Sequence, residues 1–224
     1  MKNGKDSGGN LSNVLTMKND FKNWVFLFAF FIMHLLAAQQ ADPLLTLDTL
    51  AQKKWVAAKM EALSLNEKIG QLFMVQAYSN KGKKHQKKIA SLVKRHHVGG
   101  LIFMQGTPEK QAVLNNYYQK KAKIPLLVGF DGEWGLDMRL KNTFRFPWNM
   151  TLGALENNQL IEQYGKRLGM HCKRMGIHIN FAPVVDINTN PENPIIGNRS
   201  FGENKLRVTE KAIAFVKGMQ GEGV

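Results

Sequence analysis

Short runs of consecutive apolar residues alternate along this chain with longer stretches in which apolar positions recur every three or four residues. The runs are 71–77 (QLFMVQA), 100–104 (GLIFM), 126–130 (LLVGF) and 178–185 (HINFAPVV). Runs of that length, apolar on both sides, suit strands of a sheet covered on both faces. Between them, helical spacing marks residues 84–96, 108–121 and 157–175. A last helix over about 206–219 carries Val208, Ala212, Phe215, Val216 and Met219 on one stripe. An earlier helix over 41–65 sets Trp55, Ala58, Met60 and Leu63 among charges. Ser64, with Glu67 three residues on, caps the turn that follows. Strands alternating with amphipathic helices predict an α/β fold with a parallel sheet and four βα units. Four such units fit either a small doubly wound sheet or half of an eight-stranded barrel. Both architectures place functional residues at the C-terminal ends of the strands. No glycine fingerprint follows the first strand, which argues against a dinucleotide site.

Residues 1–40 stand outside this alternation. Lys18 and Lys22 precede an apolar run from Trp24 to Leu36, and Ala37, Ala38 and Gln39 follow it. The run is shorter than the roughly 20 residues that span a bilayer, and small residues stand where a signal peptidase cuts. Residues 1–40 therefore read as a cleaved export signal, with Met17 as an alternative start. Residues 41–224 are then the exported part, periplasmic or secreted, with no stable membrane span. The single Cys172 excludes an internal disulfide. It shares the apolar side of its helix with Ile161, Tyr164, Leu168 and Met175, as a small buried hydrophobe does.

Charge adds one further feature. Lys and Arg number 31 against 17 Asp and Glu, a net charge of +14, much of it in residues 81–95 (KGKKHQKKIASLVKR). That segment is either a patch for anionic polymers or the solvated face of an outer helix whose inner face carries Ile89, Leu92 and Val93. The solvated face is the simpler reading. No aromatic residues interleave for base stacking, and nucleic acid is not an expected partner.

Candidate chemistry gathers after the third and fourth strands. Asp131 directly follows LLVGF, and Glu133, Asp137 and Arg139 cluster behind it. A carboxylate at a strand end can hold two vicinal sugar hydroxyls, or it can cap the next turn. Gly132 and Gly135 let backbone approach a ligand closely. Asp186 closes the fourth strand in the same manner, and Arg199 follows thirteen residues later in a loop rich in Asn, Pro and Gly. Its planar fork of donors suits carboxylates or several oxygens. It could equally pair internally with Asp186 or Glu203. Asn149-Met150-Thr151 and Asn198-Arg199-Ser200 match glycosylation acceptors, and chance is the better account of both. The Asp and Glu residues do not fall at metal-ligand spacing, and no metal is expected.

Together the segments DGEWGLDMR, the Phe146-Pro147 pair and FAPVVDINTNPENPIIGNRSFGEN resemble the N-terminal barrel domain of glycoside hydrolase family 3. The similarity runs over about residues 62–224. It is greatest to the β-N-acetylhexosaminidase branch, with its D-x-E-G-G-x-x-x-R and N-x-x-I-G-x-R-S-F-G segments. The W-G-R run of the β-glucosidase branch is absent near Arg199. This resemblance implies half of a (β/α)8 barrel and an exo-acting glycosidase that needs no cofactor. Its substrate would be a carbohydrate with β-linked terminal N-acetylglucosamine, from cell-wall or chitin-type oligosaccharides. Asp131, Arg139 and Arg199 would then bind the sugar, and Glu133, Asp186 and Ser200 would support the loops. One departure is that Trp134 displaces the second Gly of E-G-G to position 135, where the indole either packs on the sugar ring or fills the mouth.

The resemblance also implies a retaining mechanism, in which a late Asp attacks the anomeric carbon and a His in a K-H-F-P-G-H-G loop protonates the departing oxygen. Neither segment occurs up to Val224, and His34, His85, His96, His97, His171 and His178 lie in no such loop. Catalytic residues are therefore expected beyond Val224. The 224-residue chain is expected to bind saccharide weakly and to be inactive alone. The remaining alternatives are a β-glucosidase-like specificity or a non-catalytic saccharide-binding fragment.

Overall fold

The computed structural model describes residues 48–224, of which 54–224 form one compact unit. The export signal expected at 1–40 and the first residues of the helix expected over 41–65 lie outside the described residues. Within them, α1 runs over Thr49–Ala62 and α2 over Leu65–Gln71. Ser64 Oγ accepts the Glu67 amide and the Glu67 carboxylate accepts the Ser64 amide, closing the capping box read from the sequence.

Four βα units follow. Strand β1 is Met74–Ala77, α3 is Lys83–His96, β2 is Gly100–Phe103, α4 is Pro108–Gln119 and β3 is Leu127–Phe130. Then come a short α5 over Asn149–Gly153, α6 over Asn158–Arg174, β4 over Ile179–Asn180 and α7 over Lys205–Gly221. All strand pairs are parallel and the order is β1-β2-β3-β4. A doubly wound sheet reverses its strand order at a switch point. Here each strand lies beside the one before it, as in the N-terminal half of a (β/α)8 barrel.

The two faces of the sheet differ. Ala77, Leu101, Phe103, Val128 and Phe130 are buried beneath the helices, with Ile89 and Val93 of α3, Leu114 and Tyr118 of α4 and Ile161, Leu168 and Cys172 of α6 in the same core. On the opposite face the register sets Met74 beside Gly100, and Ile102 between Gln76 and Gly129. A Cβ on Gly129 would meet Met74 Sδ and Phe181 Cε2, both at 2.8 Å, so the thioether and the Phe ring lie across this inner face. Leu127 and Phe181 remain about half exposed there, at 52% and 50%.

All four strands are shorter than their apolar runs, the middle two by one residue and the outer two by more. Gln71 belongs to α2, and exposed Leu72 and Phe73 turn the chain before β1 begins. The run 178–185 contributes only Ile179–Asn180 to the sheet, paired with Gly129 and Phe130. The Phe181 amide still donates to the Phe130 carbonyl at 2.8 Å, and beyond it the chain leaves the sheet through a cis Ala182-Pro183 bond.

Helices α6 and α7 cross at close range because glycines line the contact. A Cβ on Gly165 would meet the Phe215 carbonyl oxygen at 2.2 Å, and one on Gly218 would meet that of Glu162 at 2.1 Å.

Candidate active site

The third and fourth strands deliver two loops to the same end of the sheet. Asn180, the last residue of β4, fastens them at their roots. Its Oδ1 accepts the Gly132 amide at 2.9 Å and its Nδ2 donates to the Gly132 carbonyl at 3.4 Å. The first loop is thereby held beside the second from its second residue onward.

Two ion pairs stand on these loops. Asp131 Oδ2 accepts from Arg139 Nη2 at 2.5 Å, both side chains being partly exposed. Asp131 Oδ1 accepts no hydrogen bond among the described residues, and the side chain is 23% exposed. Glu133 pairs with Arg199 across the two loops: Nη2 to Oε1 at 2.7 Å and Nε to Oε2 at 2.9 Å. This replaces the Arg199 pairs with Asp186 or Glu203 that the sequence allowed. The reason is burial, since the Glu133 side chain is only 5% exposed and needs a counter-charge there. The hydrogen bonds that Arg199 donates to the Glu133 carboxylate raise the Arg199 pKa above its ordinary value. Burial opposes this in part, and the Glu133, Asp186 and Asp131 charges add to the rise. Arg199 thus stands within electrostatic reach of the acids on both loops.

The remaining sequence candidates fall around these pairs. Ser200 is fully buried, and its hydroxyl donates to the Asp186 carbonyl at 2.5 Å and accepts the Gly202 amide at 3.1 Å. With Asn188 donating its amide to the Gly202 carbonyl at 2.9 Å, this knots the two ends of the long loop together. The Asp186 side chain itself is exposed. Trp134 lies against Trp148, ring centroids 4.2 Å apart, and the Arg145 guanidinium sits over both rings. Gly135 adopts φ +96°, and the space a side chain would need there is filled by the Phe146 ring at 2.8 Å.

Three supporting residues escaped the reading of the sequence. Asn180 is one. Asn149, at the start of α5, is buried and donates from Nδ2 to the Arg199 carbonyl at 2.8 Å. Tyr164 of α6 donates its hydroxyl to the Glu133 carbonyl at 2.7 Å, and burial raises its pKa. Each is a polar residue in an otherwise apolar setting, the one signal that could have marked them. Asn149, the acceptor of one glycosylation match, is buried, whereas Asn198, the acceptor of the other, is exposed.

Among the described residues no group of three or more His, Cys, Asp or Glu side chains is placed to hold a metal ion. No helix among them is long and apolar enough to cross a membrane. His96 and His97 end α3, His171 lies in α6, and His178 precedes β4.

Comparison with known proteins agrees with this geometry. The glycosyl hydrolase family 3 N-terminal domain model matches residues 64–224. Beta-hexosaminidase A of Pseudoalteromonas piscicida is 33% identical over 149 residues, which are 61% of this chain and 25% of that protein. The beta-N-acetylglucosaminidase/beta-glucosidase of Cellulomonas fimi is 28% identical over 76% of this chain and 29% of its own length. A solved family 3 beta-N-acetylglucosaminidase from a Paenibacillus species superposes with a TM-score of 0.65 at 34% identity, covering 72% of this chain and 32% of that one. The chain therefore spans less than a third of the length of these relatives. With the strand order, the loop pairs and the match over residues 64–224 in agreement, the chain belongs to glycosyl hydrolase family 3, of which it carries N-terminal domain sequence.

Proposed function

We propose that this domain holds the terminal sugar for an exo-acting, retaining β-N-acetylhexosaminidase that removes N-acetylglucosamine from cell-wall or chitin-type oligosaccharides. The observation that carries the reading is the Asp131 oxygen that accepts no hydrogen bond within the described residues. It sits on a carboxylate already fixed by Arg139, next to the Glu133–Arg199 pair. A carboxylate with one oxygen committed and one free presents a sharply directed acceptor, which is what distinguishing adjacent hydroxyls of a pyranose demands. Arg139 and Arg199 keep further N–H groups for the same sugar, while Glu133, Asp186, Ser200 and Trp134 hold the loops. Two similar proteins whose names specify hexosaminidase or N-acetylglucosaminidase activity favour this specificity.

Bond cleavage in such an enzyme needs an attacking carboxylate and a proton donor. No described histidine shares the Asp131–Arg199 cluster, so the division of labour proposed is sugar binding by these residues and chemistry by others. A polypeptide of these 224 residues is expected to bind without turnover. Export, with residues 1–40 as the signal, belongs to the same proposal.

Ligand-observed NMR with the purified chain tests it. N-acetylglucosamine should show weak, millimolar-range binding that Asp131→Ala removes, and glucose should bind less well. Equal binding of glucose would favour a β-glucosidase specificity, to which the dual name of the Cellulomonas relative also points. Absence of any sugar binding would overturn the assignment of Asp131. Release of nitrophenol from a chromogenic β-N-acetylglucosaminide by the 224-residue polypeptide would overturn the division of labour.

A further inference from the structure

The charge of the chain is far from evenly spread. Residues 81–123 contain eleven Lys and Arg and a single acid, Glu109, and so carry ten of the fourteen net positive charges. Helix α3 is the centre of this excess. Ile89 and Val93 are buried against the sheet, whereas Lys83, Lys84, Lys87, Lys88, Lys94 and Arg95 are all exposed. At about 100° per residue these six fall within an arc of about 140°, along about 18 Å of helix. None of the seven cations of 81–95 has a carboxylate within 4.0 Å among the described residues. Lys81 lies just before the helix, its Nζ 3.5 Å from the centre of the Tyr78 ring.

Lys94 and Arg95 in the last turn suit the helix dipole, but the four lysines of the first two turns do not serve the helix. Lys83 with Lys87 and Lys84 with Lys88 are like charges four residues apart, which repel. Lysines in the first turn also oppose the helix dipole, and Gly82 offers no side-chain cap. A solvated outer face would ordinarily interleave acids with its lysines. The amphipathic pattern explains the buried side of α3 but not the composition of the exposed one.

We propose that the exposed face of α3 binds an acidic polysaccharide, whose regularly spaced anionic groups run along the stripe. An extended polymer fits a row of cations on one helix. Nucleic acid is disfavoured because α3 exposes no aromatic ring for base stacking. A bilayer is disfavoured because α3 exposes no large apolar side chain to enter one, the nearest in sequence being Phe73 and Val113. Among the described residues no hydrogen bond or ion pair joins α3 to the Asp131 and Arg199 loops, and the inference does not rest on the sugar-binding reading.

Retention of the full chain on immobilised polygalacturonate, with neutral dextran as the blank, is the test. Retention should fall steeply with salt. Lys83→Glu, Lys87→Glu and Lys94→Glu together should weaken it at least tenfold. Lys141→Glu, Lys173→Glu and Lys217→Glu together, all at exposed sites elsewhere, should change it less than twofold. Gln at the three α3 positions preserves helix propensity and should give a smaller loss in the same direction. The proposal is overturned by no retention at low salt or by equal losses in the two triple variants. It is also overturned if duplex DNA or phosphatidylglycerol vesicles are held more tightly than polygalacturonate.

Discussion

At the scale of single residues, Glu133 shows how position changes the meaning of a side chain. Two residues before it, Asp131 is partly open to solvent and keeps an oxygen free. Glu133 is buried, and both of its oxygens are taken by Arg199. Truncating Glu133 would leave the Arg199 guanidinium without its main partner and the Tyr164 contact on a loosened loop. Arg199 is 34% exposed, so water offsets part of the loss. Glu133→Ala is expected to cost about 2 kcal/mol, below the roughly 3–5 kcal/mol of a fully buried pair. Urea denaturation monitored by circular dichroism measures it, and a loss under about 0.5 kcal/mol, the range of ordinary surface changes, would show the pair to be dispensable. The motifs brought out Asp131, Glu133, Arg139 and Arg199 from the sequence because they are contiguous patterns. The pairing of positions 133 and 199 was hidden, since the partners are 66 residues apart and meet only through the sheet. Asn180 and Asn149 were hidden for a related reason: an amide holding backbone looks in sequence like any other strand-end or helix-start residue.

At the scale of elements, the α6–α7 crossing depends on what is missing from it. Glycine in a helix interior costs about 1 kcal/mol relative to alanine, so propensity alone would make Gly165→Ala and Gly218→Ala stabilising. The carbonyls that a Cβ would meet at 2.2 and 2.1 Å are backbone atoms of the facing helix and cannot rotate away. The helices must separate, and each substitution is expected to lower the melting temperature, with stability falling by about 2 kcal/mol or more. A rise in melting temperature would mean the crossing is looser than its geometry. The helices themselves were legible, because a stripe such as Val208, Ala212 and Phe215 fixes both the element and the face it buries. Strand limits were less so. An apolar run reports burial, whereas a strand also needs a hydrogen-bonding neighbour, and past Phe181, whose amide donates to the Phe130 carbonyl, the run at 178–185 pairs with no strand.

At the scale of the whole molecule, the sheet has one face under helices and one that is incompletely covered. Leu127 and Phe181 are half exposed there, and Val185 in the following segment is 57% exposed. Contiguous apolar surface of this kind attracts other apolar surface. A polypeptide of these 224 residues is expected to enhance the fluorescence of a hydrophobic dye, and Leu127→Thr with Phe181→Ser to reduce that signal. An unchanged signal would place the dye elsewhere. Composition and periodicity gave the α/β class, but the choice between two parallel architectures waited on strand order, which is a property of neighbours in space. That order has a consequence for biosynthesis. Because β1, β2, β3 and β4 lie side by side in the sequence in which they are made, every strand after the first leaves the ribosome with its docking edge already assembled. Growth of the sheet can therefore be vectorial, each loop closing over a few tens of residues at modest entropic cost. The two-residue pairing of β4 is its weakest addition, completed as α7 emerges to pack on α6.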